Sequence, residues 1–334
     1  MAGLYVHEPI GCKSVLNLFP HPLSIVEPLA AAGDAGFCLV DVPPDAAAAL
    51  VLVAGVLGWQ ITPGEDVSLQ IMAPGPNAAA LPEPAVLRHA VAEIAGYAGR
   101  LAPDVVRGRL QMIMARAAAR EAALPGVPAA IRADTDRDAV DLIARRHTHE
   151  GFFLTREDRL RHPYFNGAMS AEVTREVFIA TDAAIVLPYD PLRDRVLLVE
   201  QFRMGPYGRG DPRPWMLEPV AGRVDAGETP EAAARRECEE EAGLVLKTLE
   251  KIAAYYCSPG CSTEYFHCYV GLCDLPDAGR GSGGLATEHE DIRTHVLVFD
   301  DAHALLASGE ADNGPLILSL LWLAQARTRL RAEA

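Results

Sequence analysis

Apolar and polar positions follow a strand-like pattern through most of the chain after residue 150. The runs "TREVFIATDAAIVLPYD" and "RVLLVEQFRM" mix β-branched and aromatic residues with turn residues, which is typical of β-strands. The segment "YDPLRD" (189–194) lies between two apolar runs and predicts a hairpin turn. Further strand-like runs follow, namely "EKIAAYYC", "YFHCYVGLC" and "DIRTHVLVF". The pattern therefore predicts a mixed β-sheet with few helices.

Three segments show helical periodicity. One helix is predicted after Pro84, in "EPAVLRHAVAEIAGYAG", and a second from Asp104, a good N-cap residue, through "VVRGRLQMIMARAAAREAAL". The third is "GPLILSLLWLAQARTRLR", which has Pro315 at its start and arginines in its last turn.

The amino-acid composition of the chain changes near residue 145. The first part is rich in alanine and proline, and "PGVPAAIRADTDRDAV" breaks the periodic pattern with prolines and charges, so it predicts a linker. We expect an N-terminal domain at 1–124, a linker at 125–144 and a second domain at 145–334. A chain of 334 residues is long enough for two domains of ordinary size.

Composition and charge restrict the possible partners. The net charge of −15 argues against nucleic acid as a partner, because phosphate recognition needs a basic face unless a divalent metal reverses the local sign. The seven cysteines show no CxxC spacing and predict reduced thiols. The N-terminus lacks the pattern of a signal peptide, and the longest apolar stretch (46–61) is too short to span a bilayer. We expect a cytoplasmic protein without a membrane partner.

An acidic helix is predicted in "TPEAAARRECEEEAGL". Thr229 is the expected N-cap, followed by Pro230, and Gly243 supplies the stop. Glu237 and Glu241 are four residues apart and share one face, with Glu240 nearly on the same face. Like charges at this spacing destabilise a helix unless a cation is bound, and carboxylate ligands suit Mg²⁺ or Mn²⁺. The alternative is a solvated acidic face without a ligand.

The loop before this helix, "AGRVDAGE", contains two glycines that allow a tight turn and a close approach to a ligand. Loop, helix and metal together would form a pyrophosphate site in which metal ions neutralise the phosphates and activate a water.

The fixed positions of the segment from Gly222 to Leu244 match the Nudix box, G-x5-E-x7-R-E-U-x-E-E-x-G-U, with Cys238 at an apolar position. The chain therefore resembles the Nudix hydrolases, which split a nucleoside diphosphate linked to another moiety. "VEQFR", "LEPVAG", "SPGCSTE" and "GLATEHEDIRTHV" are similar to segments of the ADP-ribose pyrophosphatases, as is Pro259, fifteen residues past the box. The resemblance implies an α+β fold, an α/β/α sandwich with a mixed β-sheet, preceded here by a smaller Ala-rich α+β domain.

The resemblance implies roles for the acidic residues. Glu237 and Glu241 are expected metal ligands, with Glu240 sharing or supporting them and the backbone carbonyl of Ala221 as a further ligand. Arg236 is expected to orient the glutamates of the box.

Two further acids follow in "TEHED". Glu288 aligns with the catalytic base of the family and Glu290 with a metal ligand on the same loop. For Glu288 the alternative is a solvated loop acid.

Substrate contacts are implied for three arginines and two glutamates. Arg203 and Arg175 match positions that contact the phosphates or the adenosine, and Arg223 is a further substrate-binding candidate. For Arg175 the alternative is a surface ion pair across strands. Glu264 matches an acid on the ribose side, and Glu218 matches an acid beside the loop.

The implied activity is metal-dependent hydrolysis of ADP-ribose to AMP and ribose 5-phosphate by a homodimer with exchanged strands. Alternatives are hydrolysis of another nucleoside diphosphate sugar such as GDP-mannose, a silent Nudix protein that senses a nucleotide, and a scaffold in a stress response. The resemblance is closest to bacterial two-domain proteins, some linked with tellurite resistance. Their first domain is γ-glutamylcyclotransferase-like, but its YGTL turn is absent here, where 14–24 reads "SVLNLFPHPLS".

Overall fold

The computed structural model describes most of the second half of the chain and separate segments of the first. The described residues are 2–8, 24–29, 36–42, 44–57, 60–63, 69–72, 84–126, 130–277 and 291–334. Apart from Ser24, the segment 14–24 lies outside them. Within the described residues, no helix is both long enough and apolar enough to cross a membrane.

The first part of the chain forms one five-stranded sheet. Its strands are β1 (Ala2–Glu8), β2 (Ser24–Leu29), β3 (Gly36–Val42), β4 (Gln60–Pro63) and β5 (Leu69–Met72). They lie in the order β2-β3-β1-β5-β4, where β1 and β5 are parallel and the other pairs are antiparallel.

Four helices accompany this sheet. They are α1 (Pro44–Leu57), α2 (Pro84–Ala95), α3 (Pro103–Arg107) and α4 (Leu110–Ala122). The helix predicted after Pro84 is confirmed as α2. The single helix predicted from Asp104 is wrong: Pro103 takes the first helical position, which places Asp104 in the first turn, and the chain divides at Gly108 into α3 and α4.

A separate three-stranded antiparallel sheet follows. It contains β6 (Asp141–Glu150), β7 (Leu154–Arg161) and β8 (Val173–Ile179) in that order. Strand β6 begins within the segment predicted as a linker, after a short 3-10 turn at Arg137–Ala139. The division into domains at 124 and 144 stays a prediction.

The predicted mixed sheet is the largest element of the fold. Its seven strands are β9 (Asp182–Asp190), β10 (Arg195–Phe202), β11 (Trp215–Glu218), β12 (Val220–Arg223), β13 (Thr248–Tyr256), β14 (Tyr265–Leu272) and β15 (Arg293–Val298). The main path is β11-β10-β9-β14-β13, with β12 paired to β9 and β15 to β10. Only the β9–β14 pair is parallel among these described pairs. The turn predicted between β9 and β10 is confirmed.

Helices cover both faces of this sheet. The covering helices are α6 (Pro230–Ala242), α7 (Phe299–Ser308) and α8 (Gly314–Ala332), while α5 (Met204–Arg209) is a short helix between β10 and β11. The alternation of β9 decides which helix each side chain meets: Val186 belongs to the core beneath α6, whereas Leu187 belongs to the core beneath α7 and α8. This arrangement confirms the α/β/α sandwich.

Both predicted ends of α6 are confirmed. The Oγ1 atom of Thr229 accepts a hydrogen bond from the amide of Ala232 at 3.1 Å, and Pro230 occupies the first helical position. Gly243 ends the helix with φ of 61°, a left-handed conformation that glycine adopts without the steric cost of a Cβ. The caps fix where α6 begins and ends, and therefore where its glutamates lie.

We expect Thr229→Ala to lower the free energy of unfolding by about 1 kcal/mol, because the amide of Ala232 loses its acceptor. Urea denaturation monitored by circular dichroism measures the change. Thr328→Ala, at an exposed position inside α8, is the matched control and should not destabilise the protein, because alanine has the higher helix propensity. Equal destabilisation by the two variants would contradict the capping role.

Candidate active site

A cavity of about 500 Å³ opens at one end of the seven-stranded sheet. Strands β9, β11, β12 and β14, helix α6 and its preceding loop contribute to its walls. Its lining consists of Gln111, Ala183, Ile185, Arg203, Glu218, Pro219, Ala221, Gly222, Arg223, Asp225, Arg236, Glu237, Glu240, Glu241, Glu264, Phe266 and Pro315. The cavity thus contains most of the site residues predicted from the sequence.

Three glutamates of α6 face this cavity, as the helical spacing predicts. Glu237, Glu240 and Glu241 all line it, and Glu241 is the most deeply buried of them, with 4% of its surface exposed. The backbone amide of Ala221, on β12, lies 3.4 Å from a carboxylate oxygen of Glu241. The helix and the strand therefore present carboxylates and main-chain atoms to the same space.

The guanidinium of Arg236 joins the loop to the helix. Its Nε and Nη2 atoms each donate to Glu228 at 3.0 Å, and Nη2 also donates to the carbonyl oxygen of Arg223 at 3.0 Å. Its Nη1 donates to Glu237 at 2.6 Å and to Glu240 at 3.0 Å. The hydrogen bonds with Glu228, and secondarily those with Glu237, raise the pKa of Arg236. Arg236 therefore remains charged and offsets the repulsion among the carboxylates.

Gly222 is the point of closest approach between β12 and α6. A Cβ atom built on Gly222 would lie 1.9 Å from Cδ and from Oε1 of Glu237, far inside any contact distance. Any larger residue here would force the carboxylate of Glu237 out of its position. The first glycine of the motif is thus explained by sterics.

Arg203 and Glu218 form an ion pair in another part of the cavity wall. Nε of Arg203 donates to Oε2 of Glu218 at 2.6 Å. Burial raises the pKa of Glu218, and the charge of Arg203 opposes that shift. Because the pair is partly shielded from water, the cationic group stays beside the cavity in a fixed orientation.

Arg223 lies at the edge of the cavity beside the turn between β6 and β7. Its guanidinium lies over the ring of Phe152, 5.7 Å from the ring centroid. The buried Nε of Arg223 has no hydrogen-bond partner within the described part of the chain. An unsatisfied buried donor beside a cavity is available to an acceptor on a ligand.

Glu264 lines the cavity and accepts a hydrogen bond from Sγ of Cys257 at 2.9 Å. Burial, together with this hydrogen bond, raises the pKa of Cys257 to about 12. The thiol is therefore neutral and serves as a donor to Glu264.

Arg175 is not brought to the cavity of its own chain. It lies exposed on β8, where its Nη1 donates to the carbonyl of Thr174 at 2.8 Å. Its neighbour in register is Asp158, which is bound by Arg145 and Arg156. The substrate role of Arg175 stays a prediction. Glu288 and Glu290 lie outside the described residues.

Sequence reasoning missed several lining residues. Ile185 and Phe266 reach the cavity by strand alternation, a signal that the sequence contains, because each has a neighbour two positions away on the same face. Pro315 reaches it from the first turn of α8. Gln111 comes from α4, and no local signal in the sequence marks it.

The oxygen atoms available as metal ligands in the cavity belong to carboxylates and backbone carbonyls. Such ligands suit a hard divalent cation. The carboxylate of Glu237 occupies the space that a side chain at Gly222 would fill. Within the described residues, no three His, Cys, Asp or Glu side chains are already arranged to hold a metal ion. Arg236 binds both Glu237, at 2.6 Å, and Glu240, at 3.0 Å.

The sequence of this chain is similar to those of several known proteins. Residues 180–320 match the NUDIX domain. The ADP-ribose pyrophosphatase of Escherichia coli (strain K12) is 42% identical over 197 residues, which are 59% of this chain and 93% of that protein. The ADP-ribose pyrophosphatase of Haemophilus influenzae is 39% identical over 186 residues, 55% of this chain and 85% of its own length. The GDP-mannose pyrophosphatase of Salmonella arizonae is 35% identical over 149 residues, 45% of this chain and 76% of its own.

We expect Gly222→Ala to weaken the binding of Mn²⁺ about tenfold to a hundredfold, because the added methyl group displaces the carboxylate of Glu237. Electron paramagnetic resonance of free Mn²⁺ during a titration measures the affinity. Gly205→Ala is the matched control, since a Cβ at this exposed position meets no atom within 4 Å. An affinity of Gly222→Ala within twofold of that control would contradict the steric argument.

Proposed function

We propose that this chain, which belongs to the Nudix family of hydrolases, hydrolyses the pyrophosphate bond of ADP-ribose to give AMP and ribose 5-phosphate. The observation that carries the proposal is the convergence of Glu237, Glu240 and Glu241 on one cavity with Arg236 behind them and Gly222 in front. The relatives named ADP-ribose pyrophosphatase support this substrate, because their similarity extends over nearly their whole length.

The carboxylates of Glu237, Glu240 and Glu241 and the carbonyl of Ala221 would hold Mg²⁺, or Mn²⁺ in its place. A divalent cation bound there supplies charge neutralisation of the pyrophosphate and acidifies a bound water. Arg236 serves as a positioning residue, because it holds the carboxylates of Glu237 and Glu240 in a defined orientation at the cavity.

The remaining polar groups would bind the substrate. The unsatisfied Nε of Arg223 is a donor for a phosphate oxygen, and Arg203, fixed by Glu218, offers a second cation. Glu264, with its carboxylate held by Cys257, is suited to accept a hydrogen bond from a ribose hydroxyl. From the family resemblance we assign the general base to Glu288 and a further metal ligand to Glu290.

GDP-mannose is a second candidate substrate, since relatives named GDP-mannose pyrophosphatase match 45% of the chain. The box addresses the pyrophosphate and leaves the choice of base and sugar to other residues. A cytoplasmic location is supported by five free cysteines, Cys238, Cys257, Cys261, Cys268 and Cys273.

A homodimer with exchanged strands is the proposed assembly. The β6–β8 sheet carries many exposed apolar side chains, including Leu142, Ile143 and Phe153, together with Phe165, which is fully exposed. Apolar surface of this extent on a soluble fold is typical of an interface. Strand exchange would also account for Arg175, since the cavity of one subunit would then receive Arg175 of the partner subunit.

We expect Glu237→Gln to lower kcat for ADP-ribose by at least about a hundredfold, because the amide removes a charge that the bound cation requires. A coupled phosphatase assay with Mg²⁺, applied to several nucleoside diphosphate sugars, measures the turnover. Glu239→Gln is the matched control, because Glu239 lies on the same helix but is exposed and absent from the cavity lining. The wild type and the control should retain full activity. Turnover of none of the panel by the wild type would favour a nucleotide sensor instead.

We expect the protein to sediment as a dimer at micromolar concentration and Leu142→Asp to shift it towards the monomer, because a charge on β6 opposes burial of that face. Leu192→Asp places the same charge at an exposed leucine in the β9–β10 turn, away from this sheet, and should leave the dimer intact. A wild-type monomer across the concentration range would refute the proposed assembly.

A further inference from the structure

One side chain of the catalytic cavity comes from outside the Nudix domain. Gln111, the second residue of α4, lines the same space as Arg203 and Glu237. All the other lining residues fall within 180–320, the range that matches the family. Helix α4 also contacts β9, whose Ala183 and Ile185 form part of the cavity wall.

Gln111 differs chemically from the rest of the polar lining. The other polar side chains among the described lining residues are carboxylates and guanidinium groups, and Gln111 is the only neutral one among them. A pyrophosphate has only hydrogen-bond acceptors, and the arginines of the cavity are suitable donors for it. An amide both donates and accepts, as do a ribose hydroxyl and the edge of a base. The chemistry of Gln111 therefore fits the parts of the substrate that flank the pyrophosphate.

The position of Gln111 is held by two sets of contacts. Within the helices, the carboxylate of Glu93 on α2 accepts from Nε of Arg116 on α4 at 3.1 Å and from the hydroxyl of Tyr97 at 2.9 Å. Between the helices and the following sheet, Arg100 donates to Glu150 on β6 at 2.7 Å. These contacts tie α4 to α2 and the following loop to β6, and the contact of α4 with β9 keeps the backbone of Gln111 beside the cavity.

Gln111 lies 69 residues before residue 180, where the match to the NUDIX domain begins. The stretch from Gln111 to residue 320 is longer than the 197 residues matched by the Escherichia coli protein. An alignment that includes the whole Nudix domain therefore ends before it reaches Gln111. Any contact that Gln111 makes to a substrate belongs to the preceding segment of this chain.

We propose that Gln111 is a specificity-determining residue, which hydrogen-bonds a neutral donor–acceptor group of the nucleoside or sugar beside the pyrophosphate. The inference rests on the function proposed above and extends it, because it gives the segment before the Nudix domain a part in choosing the substrate.

Steady-state kinetics of Gln111→Ala with ADP-ribose, inosine diphosphate ribose and ADP-glucose test the proposal. The second compound changes the base edge and the third changes the sugar. The KM for ADP-ribose should rise about threefold to tenfold while kcat stays within about twofold, because a substrate hydrogen bond is lost and the metal site is intact. The rise in KM caused by Gln111→Ala should be smaller for the analogue that lacks the contacted group. The analogue that shows this smaller rise therefore tells whether Gln111 contacts the base or the sugar.

Gln325→Ala, at an exposed position on α8 outside the cavity lining, is the matched control and should leave KM unchanged. A KM of Gln111→Ala within twofold of this control for all three compounds would overturn the inference. If the wild type hydrolyses none of them, the proposed function fails, and calorimetric binding of the same compounds in the presence of EDTA decides the role of Gln111. A threefold to tenfold weaker binding by Gln111→Ala supports it, whereas equal binding or none overturns it.

Discussion

The guanidinium of Arg236 is the interaction on which the cavity depends. A guanidinium has five N–H donors, and the five contacts of Arg236 reach Glu228, Glu237, Glu240 and the carbonyl of Arg223. Without this cation, the carboxylates of one helical face would repel one another and the loop at 223–228 would lose these hydrogen bonds to α6. One residue thus couples the conformation of the loop to the charge of the helix.

Arg236 and a divalent cation would compete for the same carboxylates. A divalent cation in the cavity must share Glu237 and Glu240 with Arg236, because both glutamates already bind Nη1. Gly222 allows the carboxylate of Glu237 to lie against β12, because a Cβ there would lie 1.9 Å from it.

Local signals made α6 and the main sheet predictable from the sequence. Thr229 and Gly243 fix the ends of α6 through contacts within a few residues, and strand alternation separates the two cores at Val186 and Leu187. The break at Gly108 follows from a local signal that the prediction overlooked, the low helix propensity of glycine, whereas the early start of β6 at Asp141 depends on its pairing with Arg161 of β7. The contact of Arg223 with Phe152 and the entry of Gln111 into the cavity are likewise products of tertiary packing.

The residues proposed to perform the reaction and those proposed to select the substrate therefore differ in how well the sequence predicts them. The pyrophosphate end of the cavity is built from one continuous segment, Gly222–Leu244, so its chemistry can be read from residue spacing. The opposite walls are assembled from Arg203, Glu218, Glu264 and Gln111, which come from separate parts of the chain. Relatives named for ADP-ribose and for GDP-mannose match the same chain, as expected if a shared segment performs hydrolysis while dispersed side chains select the base and sugar. A segment preceding the catalytic domain can then change the substrate without touching the box, because a single neutral side chain added to the wall alters what the cavity binds.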